Sequence, residues 1–354
     1  MTIPATMSGV QLTGHGGPEK LVWNDAIPVP VPGPGQVLVR VAAAGVNNTD
    51  INTRIGWYSS DVTGATDAVD QKVEEGGWSG GLNFPLIQGG DLCGHVVAVG
   101  DGVALAEGTR VTSQINIPRP TEDAPTAFIA LGSEVDGAFA QFCLCETDEL
   151  FDVSASPLSD VEIAAMPCGH GTAWNLLTRA GVRAGQKVLV TGASGGVGLA
   201  AVQLAAHLGA EVTGVTSPRK AGAVTEAGAV ATLARGAPPP EESFDVVIDV
   251  VGGDIWPDLI RAVKPGGHYA VSGAIAGPMI TADLREIYLR DITVHGCSFM
   301  PRSTFETLIE IINAGAVRPV ISQTYPLAEI ATAQADFMTK RLAGKLVLIP
   351  PEVS

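Results

Sequence analysis

Residues 187–198 read KVLVTGASGGVG: a short strand, a glycine-rich turn, and the opening of a helix that runs to about Leu208. In that helix Val197, Ala201, Leu204 and Leu208 recur at helical spacing and supply a face to pack on a sheet. Glycine at 195 and 196 lets the backbone come close to a pyrophosphate, and Gly198 permits close contact between helix and strand. The helix N-terminus adds unpaired N–H groups and the positive end of the helix dipole. The alternative is a tight strand-to-helix turn that holds no ligand.

Outward from this turn the pattern repeats. EVTGVT (211–216), AVATL (229–233), FDVVIDVVG (244–252), GGHYAVSG (266–273) and ITVHGC (292–297) are apolar strands separated by helical or turn segments. With 187–190 they make six strands, the pattern of a doubly wound parallel sheet, because continuous apolar strands need helices on both faces. The second strand of such a unit ordinarily ends, about 20 residues past the glycines, in an acid for the ribose 2′-hydroxyl. Here that place is Val215-Thr216-Ser217-Pro218-Arg219-Lys220. Two hydroxyls and two bases suit a 2′-phosphate, so NADPH is expected over NADH. Arg219 and Lys220 starting a solvated helix is the alternative.

Upstream, residues 1–155 carry short alternating runs such as QVLVRVAAAGV (36–46) and GHVVAVGDGV (94–103), broken by Gly/Pro turns. That predicts an all-β region. Downstream, 301–317 is an amphipathic helix with Phe305, Leu308 and Ile312 in register, and 344–350 a terminal strand.

The 354 residues suffice for two or three domains with their own cores. Thirty-seven acids against 21 bases give a formal charge of −16, which disfavours nucleic acid and anionic lipid as partners. No run of 18 apolar residues and no basic, apolar leader is present, so a cytoplasmic protein is expected. The five cysteines lack CxxC spacing, and Cys143 and Cys145 are read as buried small side chains rather than a metal pair.

The arrangement resembles the medium-chain dehydrogenase/reductase superfamily, over nearly the whole chain. Ala193, Gly195 and Gly198 match its A-x-G-x-x-G variant, similar to the quinone oxidoreductase-like, zinc-independent branch. The resemblance implies an α/β protein: a GroES-like β-barrel catalytic domain from 1–155 and 300–354, and a Rossmann domain from 156–299. It implies cofactor contacts from Thr172, from Ala193, Ser194, Gly195, Gly196, Val197 and Gly198, and from Thr216, Ser217, Arg219 and Lys220. Further contacts are implied for Val250, Val251, Ser272, Gly273, Ala274, Ser298, Phe299 and, in the Gly344-Lys345-x-Val347-Leu348 signature, Lys345.

Zinc members of the superfamily take a Cys, a His and a second Cys at places where this chain has Asn47, Gly90 and Cys168. One thiolate falls short of three ligands, so no metal is expected. Without a Lewis acid, hydroxyl or amide donors must polarise or protonate the substrate. Asn47 and Tyr58 match the branch's Asn-x-x-Asp stretch and following tyrosine, with Tyr58 the favoured proton donor; Thr49 stands at the hydroxyl relay of the zinc enzymes. Asp50 and Arg54, one turn apart, are expected to pair. His170, at the domain junction, is read as structural before substrate-facing. The stretch 59–81, SSDVTGATDAVDQKVEEGGWSGG, is long enough for a lid, with Trp57, Tyr58 and Trp78 as an aromatic wall, or else an acidic excursion into water.

The expected activity is NADPH-dependent, zinc-independent hydride transfer to a quinone or to the activated C=C bond of an enone. An alcohol/aldehyde dehydrogenase and a non-catalytic NADPH-binding protein are the alternatives. The expected partners are a small-molecule carbonyl compound and a second copy of the chain, through the edge strand 292–297.

Overall fold

Val188, Leu189, Val190, Val246, Val247 and Ile248 are wholly buried, as the centre of a parallel sheet covered on both faces requires. In the computed structural model, which describes residues 2–66 and 81–353, these residues sit mid-sheet in six parallel strands. The order across the sheet is Ala231–Ala234, Glu211–Thr216, Lys187–Val190, Phe244–Asp249, Val263–Val271, Thr293–Gly296. All neighbouring pairs are parallel, the sheet of a doubly wound fold with its switch point between Lys187–Val190 and Phe244–Asp249. The helix Gly196–His207 buries Leu199, Ala200, Ala201, Val202, Leu204 and Ala205, so small side chains let it lie close to the sheet.

Chain contacts divide the molecule into two units. The sheet belongs to the second, Thr63–Val69 and Gly169–Met300; the first holds Met1–Val62, Asp70–Cys168 and Pro301–Ser354. The boundary expected at 155/156 therefore lies at 168/169. Residues 156–168 stay with the first unit because the helix Asp160–Ala164 packs on Gln36–Val46 and Asp91–Val99, and because Ser156 Oγ donates to the Ile312 carbonyl at 2.7 Å.

In the first unit the strand Gln36–Val46 is the hub of a seven-stranded sheet. It pairs antiparallel with Asp91–Val99, Phe142–Glu146 and Lys345–Ile349. The last pairing sets Leu346 opposite Val46 and brings the start of the C-terminal strand to the end of the hub strand. Val37, Leu38 and Val39 are all wholly buried in the apolar cluster that this sheet encloses. The helix Arg302–Ala314 buries Phe305, Leu308 and Ile312 on one face, as its periodicity predicts. Cys143 and Cys145 are buried with their sulfurs 3.8 Å apart; all five cysteines are unpaired.

One local expectation fails. Asp50 and Arg54 lie on one short helix, Asn48–Ile55, yet they do not pair. The Arg54 guanidinium instead donates to Gln334 Oε1 at 3.0 Å and the Gly16 carbonyl at 2.6 Å. Asp50 is turned back on the strand end, accepting from the Asn47 N–H at 2.7 Å. Capping the unpaired amides of the helix start outweighs an i,i+4 pair worth a few tenths of a kcal/mol.

Candidate active site

In the second unit, the residues expected to hold a dinucleotide gather at the carboxyl ends of the parallel strands. After Val190 the chain turns through Gly192, at φ +56°. A side chain there would meet Val251 and Val250 at 3.1 and 3.3 Å, so the glycine turn rests on those two valines. Gly198 cannot be replaced, since a Cβ would run into the Gly192 carbonyl and the Ala193 backbone. Ala193 and Ser194 are buried, whereas Gly195 is exposed and Gly196 and Val197 half-buried at the helix N-terminus. The adjoining turns complete the rim. Gly273 lies against the Val250 carbonyl, Gly252 against Ala274, and Asn175, on the helix that carries Thr172, donates to the Phe299 carbonyl at 3.2 Å. Ser298 stands beside Phe299 past the strand Thr293–Gly296.

At the end of Glu211–Thr216 two hydroxyl oxygens, Thr216 Oγ1 and Ser217 Oγ, are buried without a hydrogen-bond partner among the described residues. Orphaned buried hydroxyls are costly. Beside them Lys220 is 8% exposed, and its ammonium is shifted below the usual lysine range by burial and by the neighbouring charges of Arg235 and Arg219. Arg235 is held there by its own N–H, which bonds the Thr216 carbonyl at 3.2 Å. Three cations around two unsatisfied hydroxyls fit an anion. Sequence reasoning missed Arg235, although a base directly after the third strand in so acidic a chain was a usable signal.

In the first unit, Asn47 ends the hub strand and caps the helix Asn48–Ile55. Lys345 reaches it from the antiparallel C-terminal strand. The Lys345 ammonium donates to the Val46 carbonyl at 3.1 Å, to Asn47 Oδ1, and to Asp91 Oδ2 at 2.7 Å. Asp91 is wholly buried and also accepts from Asn47 Nδ2 at 2.9 Å and from the Cys168 N–H at 2.5 Å. With three oxygens around it, the Lys345 ammonium has no donor left for a cofactor phosphate. Asn47 likewise has both ends of its amide engaged. Each is a crosspiece of its own unit.

This network sets the local charge. Burial, with the adjacent Asp91 charge, pushes the Asp50 carboxyl up to about 7 and the Cys168 thiol up to about 12. Ile115 fills the space beside Gly90, where any Cβ would strike its side chain. With a carboxamide already bonded to an ammonium and a glycine whose side-chain space is taken, Cys168 alone falls short of the three protein ligands of a catalytic zinc.

Thr49 Oγ1 is buried beside the Cys168 thiol, with which its hydroxyl interacts. With Asp50, Thr53, Ile115, Leu131 and Ser133 it lines a small pocket. Tyr58 lies past the far end of the eight-residue helix, which puts about 9 Å of helix between it and Thr49. Its ring stands edge-on to Trp57, with centroids 5.6 Å apart. Trp78, and most of the expected lid, lie outside the described residues. His170 is buried, its Nε2 3.3 Å from Gln203 Oε1.

Comparison with known proteins places these features in a family. Residues 33–155 match the alcohol dehydrogenase GroES-like domain, and residues 225–348 the zinc-binding dehydrogenase domain. An acryloyl-coenzyme A reductase of Metallosphaera sedula is 30% identical over 75% of this chain and 84% of its own. The quinone oxidoreductase of Mus musculus is 27% identical over 97% of this chain and 98% of its own. The crystal structure of a putative alcohol dehydrogenase from Sinorhizobium meliloti 1021 superposes with a TM-score of 0.88 at 40% identity, covering 99% of this chain and 98% of that one. The chain belongs to the medium-chain dehydrogenase/reductase superfamily, in its quinone oxidoreductase-like branch, and is an oxidoreductase of a family that binds NAD(P).

The Asp50 shift makes stability depend on pH. Its folded pKa is raised from 3.8 to about 7, so between those values the folded state binds more protons than the unfolded one, and stability falls as pH rises through that window. The slope from this group is at most about 1.4 kcal/mol per pH unit. Urea midpoints measured from pH 5 to 7 are expected to decline more steeply in the wild type than in Asp50→Asn, and parallel curves would refute the assignment.

Proposed function

We propose that the protein is an NADPH-dependent oxidoreductase that works without zinc and reduces an activated C=C bond, as in an enone, or a quinone. The observation that carries the cofactor choice is the pair of orphaned hydroxyls of Thr216 and Ser217, close in the chain to Arg219 and Lys220, whose ammonium also feels the charges of Arg219 and Arg235. A 2′-phosphate would satisfy the hydroxyls and relieve the mutual repulsion of the cations. The substrate class is supported by the misfit of the donor set to zinc, and by relatives named acryloyl-coenzyme A reductase and quinone oxidoreductase.

When bound, the nicotinamide supplies the hydride. The glycine turn and the N-terminus of Gly196–His207 would hold the pyrophosphate, and Val250, Val251, Ser272, Gly273, Ala274, Ser298, Phe299 and Thr172 would wall the rest of the dinucleotide. On the substrate side, Lys345 and Asp91 lock Asn47, so the start of the helix Asn48–Ile55 is rigid. Thr49 then presents, from a fixed backbone, a hydroxyl whose neighbour is the Cys168 thiol, which makes it the first candidate to hand a proton to the reduced substrate. Tyr58 is the second, from the other end of the helix. An enone takes the hydride on its β-carbon and the proton on its α-carbon; a quinone takes its proton on oxygen.

A homodimer fits the second unit. The strand Thr293–Gly296 is paired on one side only, and Met279, Leu284, Tyr288, Leu289 and Val294 are exposed large apolar residues in and before it. A second copy pairing along that edge would cover it. The unpaired buried cysteines suit a reducing, cytoplasmic setting, and no helix among the described residues is long and apolar enough to cross a membrane.

NADPH is expected to bind at least about tenfold more tightly than NADH. Charge reversal at Arg219 or Arg235 should erase the preference while leaving NADH binding nearly unchanged; equal affinities in the wild type would end the NADPH assignment. NADPH oxidation with enones, quinones and aldehydes tests the activity, with elemental analysis of the same preparation. Turnover of aldehydes alone, or one tightly held zinc per chain, would revive the alcohol dehydrogenase alternative, and no turnover at all the non-catalytic one. Thr49→Val is expected to lower turnover about 100-fold; if Tyr58→Phe does so and Thr49→Val does not, the donor is Tyr58. Sedimentation should show a dimer, and Val294→Lys should yield monomer; an unchanged dimer would place the interface elsewhere.

A further inference from the structure

Asp249 ends the strand Phe244–Asp249 and is wholly buried. A carboxylate in such a place is ordinarily held by a cation. Here every partner is a neutral donor. Oδ1 accepts from Thr191 Oγ1 at 2.6 Å and from the Val251 N–H at 2.9 Å. The Gly252 N–H is shared between both oxygens at 3.2 Å, and Oδ2 accepts from the Tyr269 hydroxyl at 2.5 Å. Thr191 is tied twice, since its Oγ1 also accepts from the Val250 N–H at 3.0 Å.

These bonds join three strand ends. Thr191 opens the glycine turn after Lys187–Val190, Asp249 opens the turn Val250–Gly252, and Tyr269 lies within Val263–Val271. The two turns meet where Gly192 lies against the side chains of Val250 and Val251. The Thr191 and Tyr269 hydroxyls and two backbone amides therefore converge on one buried negative charge, set behind the rim assigned to the dinucleotide. Tyr269 is itself wedged edge-on against Trp256, with centroids 6.2 Å apart, and burial and the Asp249 charge hold its phenol protonated by raising its pKa.

We infer that Asp249 is a positioning residue that sets the spacing of the glycine turn and the Val250–Gly252 turn, and that Thr191 and Tyr269 tune dinucleotide affinity through it without touching the dinucleotide. An uncompensated buried carboxylate is a poor stabiliser, but it orients several donors at once, which suits a site built mostly from backbone. The inference rests on the dinucleotide reading of this rim.

The test uses the full-length protein with Tyr269→Phe, Thr191→Val and Thr191→Ser. Equilibrium titration with NADPH is expected to give a Kd about five- to twentyfold higher for Tyr269→Phe and Thr191→Val, with Thr191→Ser within about twofold of the wild type because it keeps the hydroxyl. KM for NADPH should rise in parallel while kcat at saturating NADPH changes less than about threefold. Amide exchange without cofactor should speed up at Val251 and Gly252 in both variants that lose the hydroxyl. A Kd within twofold of the wild type in Tyr269→Phe and Thr191→Val, whatever their melting temperatures, overturns the inference. Should Tyr269→Phe fail to fold, the Thr191 pair decides: equal affinities for the valine and serine variants overturn it. A wild type that binds neither NADPH nor NADH instead overturns the dinucleotide reading itself, which separates the two failures.

Discussion

The buried contact between Lys345 and Asp91, 2.7 Å between Nζ and Oδ2, is the constraint around which the first unit's candidate site is arranged. It joins residues 254 positions apart and depends on register. Leu346 faces Val46 across an antiparallel pair, which delivers the Lys345 side chain to the end of the hub strand. A slip of one residue would turn it to the opposite face. Once in place, the ammonium fixes the Asn47 amide from one side while Asp91 fixes it from the other, and the second Asp91 oxygen holds the backbone of Cys168. Removing one partner of such a pair costs about 3–5 kcal/mol, although a well-packed apolar pair in the same place can be as stable. Its value therefore lies in the geometry it imposes.

The same pair governs the chemistry of its surroundings. Two carboxylates, Asp50 and Asp91, share the neighbourhood of one buried ammonium. Burial first, and the Asp91 charge second, raise the Asp50 carboxyl to about 7, and the same two causes keep Cys168 a thiol. A thiolate would add another buried negative charge where the single cation is already spoken for. Around Asn47 and Gly90 the space is closed, since Ile115 fills the room beside the glycine and the Lys345 ammonium bonds both the carboxamide and Asp91.

How far the sequence could be read differs between the two units. Every strand of the parallel sheet was visible as a short apolar run, and the glycine turn as a pattern of small residues between strand and helix, because both arise from local sequence. The helix Arg302–Ala314 followed from its spacing, and its buried Phe305, Leu308 and Ile312 are the residues that spacing selects. The uses of Lys345, Asn47 and Arg54 could not be read this way. Each is decided by a partner far off in the chain, Asp91 for the first two and Gln334 for the third, and periodicity carries no information about such pairings. Arg54 shows the limit most plainly, since the local rule offered it Asp50 and a distant amide and a distant carbonyl took it instead.

This contrast follows from what the candidate site of each unit is made of. The rim expected to take a dinucleotide is built from strand ends, glycine backbone and a helix terminus, and backbone-made sites leave a local imprint on sequence because only certain residues permit the backbone its course. The substrate side is built from side chains brought together by strand pairing, where Asn47 alone is compatible with a substrate donor or with a crosspiece. What distinguishes the two roles is the occupancy of its hydrogen-bonding groups. By that measure Asn47 and Lys345 are committed to holding the strand ends of the first unit together.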